Sequence, residues 1–298
     1  LPEVIHRALR MKKLAGDICK VVCGRHTHPI AMQVGGFTHL PTEGELIDLH
    51  ERLLAVRHDV DQTVELFQSV TFPDFERETE YIALRSEDDY CLMDGVITST
   101  DGGTWPLEEY KDITNEFQVD HSTAKHARNK RQSYMVGALA RVNINQDKLL
   151  ARAFSAASEL DLLPKCTNPY WNTKAQVVEI VHCVEKSIEI IQVLLKNGVN
   201  QEEPSIPERL SGEGVGACEA PRGSLYHNYV IKSGIITGAD CVIPTAQNLA
   251  NIEADMRSYL PYIINLPEEE VSLRMEMLVR AYDPCISCST HTLEVIFV

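Results

Sequence analysis

The chain has 298 residues, 44% of them hydrophobic and 24% charged, the balance of an ordinary globular protein and not of a disordered or membrane chain. Its formal charge of -15 gives no long-range attraction to phosphate, so nucleic acid and anionic membrane surfaces are poor partners. No apolar run approaches the roughly 20 residues of a spanning helix. Nine cysteines, an odd number irregularly spaced apart from Cys285 and Cys288, argue against a disulfide scaffold and for a reducing, cytoplasmic setting.

In chain order, Val4 to Val22 places Ile5, Leu9, Leu14, Ile18 and Val21 among Arg and Lys, which predicts an amphipathic helix already in progress at the start. No charged-then-apolar leader is visible, and the chain opens on Leu1, so the segment reads as a helix cut from a longer chain. Cys23 to Pro29 and Val34-Gly35-Gly36-Phe37 suit a compact non-helical path. Thr42 and Glu45 then make a capping box, and Leu46, Leu49, Leu53, Val56, Val60, Val64 and Phe67 follow at helical spacing. Short apolar pieces around Asp94-Gly95 and Asp101-Gly102-Gly103 predict a small sheet between Tyr90 and Trp105. The basic run Lys125 to Arg131 reads as a solvated face or a protein interface.

A second long helix is predicted from about Thr173 to Asn197, one-sided through Val177, Ile180, Val181, Val184, Ile188, Ile191 and Leu195, with Gly198 placed to end it. The stretch from Asn200 to Gly216 is expected to be a loop. Ser224 to Val230 and Ile235 to Ile243 suggest two strands around Lys232-Ser233-Gly234, and helical patterns resume at Leu249 to Ile264 and Glu268 to Ala281. The expected fold class is therefore mainly α with small β-sheets (α+β), read as a single incomplete domain over residues 1–298.

The last predicted helix delivers its end to Asp283-Pro284-Cys285-Ile286-Ser287-Cys288. Two thiols at i and i+3 can face one soft metal ion from a single turn, and His291 stands three residues further on. Thiolates suit zinc, iron-sulfur clusters, Cu(I) and thiolate-bound nickel, so the ligand type alone leaves the metal open.

The segment Arg280 to His291 closely resembles the carboxy-terminal Asp-Pro-Cys-x-x-Cys-x-x-His motif of nickel-iron hydrogenase large subunits. Glu219-Ala220-Pro221-Arg222-Gly223, followed by Leu225 and His227, is similar to the family's Glu-Ala-Pro-Arg-Gly segment, and Ile243-Pro244-Thr245 with Asn248 to its Pro-Thr element. Gly24-Arg25 to His28-Pro29 with Gly35-Gly36, and Ser133 to Gly137 with Ala140-Arg141, resemble further family segments. Five motifs in the family's order span nearly the whole chain.

The resemblance implies a hydrogenase large-subunit-like helical body and reversible heterolytic cleavage of dihydrogen. It implies a Ni-Fe centre with carbon monoxide and cyanide on iron, in which Cys285 is a terminal nickel ligand and Cys288 a bridging one. Arg222 would stand over the open coordination position, Pro221, Pro244 and Thr245 would lie around the cyanides, and His291 would bind Mg2+. The implied partners are an iron-sulfur small subunit, diaphorase-type electron-transfer subunits, and a maturation protease and chaperone, the protease removing 292–298 as a tail. Within the family, the branch most resembled is the cytoplasmic NAD(P)-linked or sulfhydrogenase type.

The family's other two nickel cysteines and its proton-relay glutamate lie in an amino-terminal region with a second Cys-x-x-Cys, which this chain does not contain. Cys19 and Cys23 have the wrong spacing and neighbours for it. Two thiolates cannot hold such a centre alone, so these residues by themselves are expected to be inactive. Two other readings remain: a metal-free relative like the quinone-pocket subunit of respiratory complex I, and a zinc module built on Cys285, Cys288 and His291.

Overall fold

The computed structural model describes residues 2–201, 203–206 and 208–289. In chain order the first elements are α1 (Pro2–Cys23), the short pair β1 (Met32–Gln33) and β2 (Gly36–Phe37), and α2 (Glu43–Ser69). Next come β3 (Glu80–Arg85), β4 (Val96–Ser99), β5 (Thr104–Trp105), α3 (Tyr110–Thr114), β6 (Phe117–Val119), β7 (Ser122–His126) and β8 (Tyr134–Met135). Helices α4 (Ala138–Asn145), α5 (Ala151–Glu159) and α6 (Asn172–Asn197) follow. The chain continues through β9 (Gly212–Ala220), β10 (Gly223–Lys232), β11 (Ile235–Val242), α7 (Pro244–Ile263), α8 (Glu268–Ala281) and α9 (Ile286–Ser289). The expected helical class with small sheets is what forms.

Two compact units divide the chain: Leu1–Ser69 with Val178–Arg209, and Val70–Val177 with Leu210–Val298. The first is helical, and the apolar stripes of α2 and α6 point inward, whereas on α1 Ile5 and Leu9 of the predicted stripe are exposed. Leu46, Leu49, Leu53, Val60 and Val64 of α2 are all buried, as are Leu14 of α1 and Ile188 of α6. The predicted capping box is present: Glu45 N–H donates to Thr42 Oγ1 at 3.3 Å, and Thr42 N–H to Glu45 Oε2 at 2.8 Å. Gly198 closes α6 in a left-handed conformation, φ +78°, with its N–H on the Leu194 carbonyl.

The second unit has two main sheets. One has the order β5-β4-β3-β8, with β8 parallel to β3, and the other is the meander β11-β10-β9. Tyr110 and Tyr226 stack at 5.5 Å in a core that also holds Ile82, Leu84, Ile97 and Val242. Two expectations need correction. The segment expected as loop to Gly216 is already β9 from Gly212, because it pairs along β10 from Gly223↔Ala220 to Ile231↔Gly212. Helix α7 begins at Pro244, not Leu249, since proline fits the first helical position, where no N–H is required. The basic run is a solvated face, with Lys125, Arg128 and Lys130 exposed, Lys125 paired with Glu116 and Arg131 with Asp101.

Candidate metal centre

Three segments meet around the thiol pair, each fixed by buried polar side chains. The first is the Pro221-Arg222 turn that joins β9 to β10. Gly223 has φ +137°, and a Cβ there would lie 2.4 Å from Val136 Cγ2; a Cβ on Gly137 (φ +114°) would lie 3.1 Å from the Arg222 carbonyl oxygen. Glycine at both positions lets the two backbones touch. Arg141, almost wholly buried in α4, then clamps the turn: Nη1 donates to Glu219 Oε2 at 3.0 Å and to the Ala220 carbonyl at 2.9 Å, and Nη2 to the Pro221 carbonyl at 3.0 Å. Glu219 also accepts from the Leu84 N–H and the Ser224 hydroxyl. Burial pushes its carboxyl above the ordinary value, against the pull of Arg141, Ser224 and that N–H.

The second segment is the first two turns of α7. Asn248 takes both backbone groups of Val136, accepting from its N–H at 2.9 Å and donating to its carbonyl at 3.2 Å. Gln247 donates to the Ser224 carbonyl at 2.6 Å and accepts from the Tyr134 hydroxyl at 3.2 Å. Side-chain amides thus do here what a sheet ladder does elsewhere.

The third is the segment after α8. Asn172 donates to the Ala281 carbonyl at 2.8 Å while accepting from the Leu139 N–H at 2.9 Å. The Tyr282 hydroxyl accepts from Asn251 at 2.7 Å and donates to Asp255, which Arg77 pairs. Asp283 then adopts φ +51°, and this turn carries the chain to Pro284 and Cys285.

Cys285 N–H donates to Thr245 Oγ1 at 3.1 Å, so the hydroxyl of the buried Thr245 accepts from Cys285 and its hydrogen can point onward. The Cys285 and Cys288 sulfurs lie 2.7 Å apart as free thiols on one side of α9, with Ser287 Oγ 3.5 Å from Cys285. The Arg222 guanidinium reaches over the same turn, with Nε 2.5 Å from the Asp283 carbonyl and 3.2 Å from its carboxylate. The hydrogen bond shared with Cys288 holds the Cys285 thiol below its ordinary value, helped by Ser287 and the charge of Arg222. Cys288 is pushed up, first by the same hydrogen bond and then by burial.

Cys285, Cys288, Thr245 and Arg222 are therefore brought together. Pro221 and Pro244 shape the two turns that carry Arg222 and Thr245; the Pro221 carbonyl faces Arg141, and Pro244 is buried at the start of α7. His291 and the 292–298 tail lie outside the described residues. Two soft donors facing one side, beside a guanidinium and a hydroxyl, fit a thiolate-bound metal. Sequence reasoning passed over Asn172, Gln247 and Asn251, which carry no pattern, and Arg141, which stood inside a quoted segment without a role.

Residues 94–291 match the family described as nickel-dependent hydrogenase. The chain is 34% identical over 289 residues to sulfhydrogenase 1 subunit alpha of Pyrococcus furiosus, covering 96% of this chain and 67% of that protein. It is 27% identical to the NAD-reducing hydrogenase HoxS subunit beta of Cupriavidus necator, covering 98% of this chain and 66% of the relative. Its fold matches a crystal structure of NAD+-reducing [NiFe]-hydrogenase in the H2-reduced state with a TM-score of 0.85 at 23% identity, over 97% of this chain and 69% of that one. The Dm. baculatum [NiFeSe]-hydrogenase follows at a TM-score of 0.69 and 21% identity.

Proposed function

Because the chain belongs to the nickel-dependent hydrogenase family as a large, catalytic subunit, an oxidoreductase acting on dihydrogen, we propose that Cys285 and Cys288 are ligands of its nickel. The observation that carries this reading is the pair of facing sulfurs 2.7 Å apart, with the charge of Arg222 near enough to act on both. The pair supplies two of the four sulfurs that the family's centre uses, and the sequence holds no second Cys-x-x-Cys.

When bound, the Ni-Fe centre supplies an open coordination position at which dihydrogen is polarised and its electrons are taken up. The chain's own residues handle the proton and the pocket. The Cys285 sulfur, terminal on nickel by its place in the family's motif, would accept the proton, and Arg222 would provide fixed positive charge beside it. Asp283 holds that guanidinium through its carbonyl and carboxylate, so little reorganisation is needed during turnover. Thr245 would donate its hydroxyl hydrogen to a cyanide of the centre, and Pro221 and Pro244, which have no N–H, would help to keep water from that side. The centre would bring carbon monoxide and cyanide as ligands of its iron, and His291 would hold Mg2+.

Electrons leave through an iron-sulfur small subunit and then diaphorase-type subunits, as suits the relatives named as subunits of NAD-reducing hydrogenase and sulfhydrogenase. A maturation protease and chaperone complete the partners, and the protease removes residues 292–298. No helix among the described residues is long and apolar enough to cross a membrane, and the reduced cysteines suit a cytoplasmic setting.

The test is made in the holoenzyme. Cys285→Ser should abolish hydrogen uptake and lower nickel content; unchanged activity would exclude the ligand role. Arg222→Lys should leave nickel and iron bound while slowing turnover by about 100-fold, the scale of losing one preorganised charge at a reacting centre. If Arg222→Lys sheds the metals instead, the guanidinium is structural.

A further inference from the structure

A second cluster of metal-ligating side chains lies on the same unit but uses none of the residues above. His121 stands in the turn between β6 and β7, His126 ends β7, and Glu253 comes from the third turn of α7. One ligand atom from each lies within 4.8 Å of the others. Both imidazoles address the same carboxylate oxygen: His121 Nε2 is 2.7 Å and His126 Nε2 3.0 Å from Glu253 Oε1. The rings meet edge to face at 6.0 Å, so the two nitrogens converge and do not stack.

The convergence is built, not incidental. His126 is 3% exposed, and its Nδ1 sits 3.3 Å from the Ala124 carbonyl, which can only accept, so the ring hydrogen belongs on Nδ1. Its Nε2 then faces the Glu253 carboxylate oxygen that His121 Nε2 also faces. A metal ion among the three groups would be met by both imidazole nitrogens and the carboxylate oxygen at once. A ligating histidine characteristically donates its other ring N–H to a carbonyl, as His126 does. The remaining carboxylate oxygen, Oε2, is held by Arg257 at 3.1 Å from the next turn of α7, which fixes the rotamer of Glu253.

We propose that His121, His126 and Glu253 form a divalent metal site, with Zn2+ as the cation that two imidazoles and one carboxylate fit best. The fourth position is left to water on the side where His121 is exposed. The ion ties the β6–β7 hairpin to α7, the helix that also carries Thr245. The site stands apart from the thiol pair and does not depend on the hydrogenase reading.

Holoenzyme dialysed against Zn2+ should retain one zinc per chain, in a shell that X-ray absorption shows to be nitrogen and oxygen without sulfur. His121→Asn, at an exposed position that the fold does not need, should weaken zinc binding by about 100-fold or more, beyond the 10- to 100-fold typical of losing only an outer-shell partner. Nickel and iron content and the far-ultraviolet circular dichroism should stay unchanged. Glu253→Gln should act in the same direction. Zinc that is not retained, that binds through sulfur, or that binds His121→Asn as tightly as the parent would overturn the site.

Discussion

In the first unit the buried side chains are mostly aliphatic and recur every three or four residues, while charged groups pair at the surface, Arg10 with Asp59, Arg52 with Asp17 and Arg57 with Glu185. In the second, many of the side chains around the thiol pair are polar and still buried: Arg141, Asn172, Gln247, Asn248, Asn251 and Asp255 are each at most 3% exposed. The two arrangements do different work. Aliphatic stripes hold regular helices together with contacts that tolerate repacking. Turns such as Pro221-Arg222 and Asp283-Pro284 have no ladder of their own, and only directional bonds to their backbone groups fix where Arg222 and Cys285 stand.

The sharpest way to break that contrast is Arg141→Met. It removes the guanidinium from Glu219 and from the Ala220 and Pro221 carbonyls at once, leaving a buried carboxyl without its counter-charge and both carbonyls without that donor. Urea denaturation should show a loss of about 3–5 kcal/mol, the cost of breaking a buried pair from one side. Arg141→Lys should recover little of it, because an ammonium cannot reach the same fork of acceptors. Adding Glu219→Gln to Arg141→Met should recover part, since burial already pushes that carboxyl toward its neutral form. A loss below about 1 kcal/mol would mean that the turn is held by its glycines alone.

Leu53→Ala applies the same pressure to the first unit. Leu53 is 1% exposed on the inward stripe of α2, so its truncation should cost about 2–5 kcal/mol. Here the conservative change should succeed where it fails at Arg141: Leu53→Met, which keeps the volume, should cost less than about 1.5 kcal/mol. If Leu53→Met proves as damaging as Leu53→Ala, the first unit is as geometrically exacting as the second.

The same contrast decides what could be read from the sequence. Helices α2 and α6 announce themselves because each buries one stripe, and the Thr42–Glu45 box marks a start; α1 carries the period but buries only Arg7 and Leu14. Helix α4 gives no such signal: Ala138, Leu139, Ala140, Arg141 and Val142 are all buried, and a helix covered on every side has no period to detect. Strand β3 is hidden for a similar reason, being a continuous buried run, and β9 because its alternating glycines resemble a loop. At the site, the motifs exposed Cys285, Cys288, Arg222 and Thr245, whose chemistry is local. Asn172 and Asn251 act across the fold, on backbone or side chains distant in sequence, and the His121, His126 and Glu253 cluster joins residues more than a hundred positions apart. Periodicity cannot see such pairings.

The smallest expected effect belongs to the surface pairing of the first unit, and pH isolates it. Asp17 lies 2.7 Å from Lys13 and also pairs with Arg52, and these two contacts, Lys13 first, hold its carboxyl well below the ordinary range, to about 2. A carboxyl whose folded value is depressed adds stability that is fully present above its unfolded value near 3.9 and is lost as pH falls toward the folded one. The stability difference between the parent and Asp17→Asn should therefore be constant from pH 7 down to about pH 5 and shrink between pH 4 and pH 2. Because the pair is exposed, salt should reduce that difference at neutral pH as well, which it should not do for Arg141→Met. A difference that stays level down to pH 2 would show that Asp17 contributes through packing and not through its charge, and the surface pairs of the first unit would then resemble the buried network of the second.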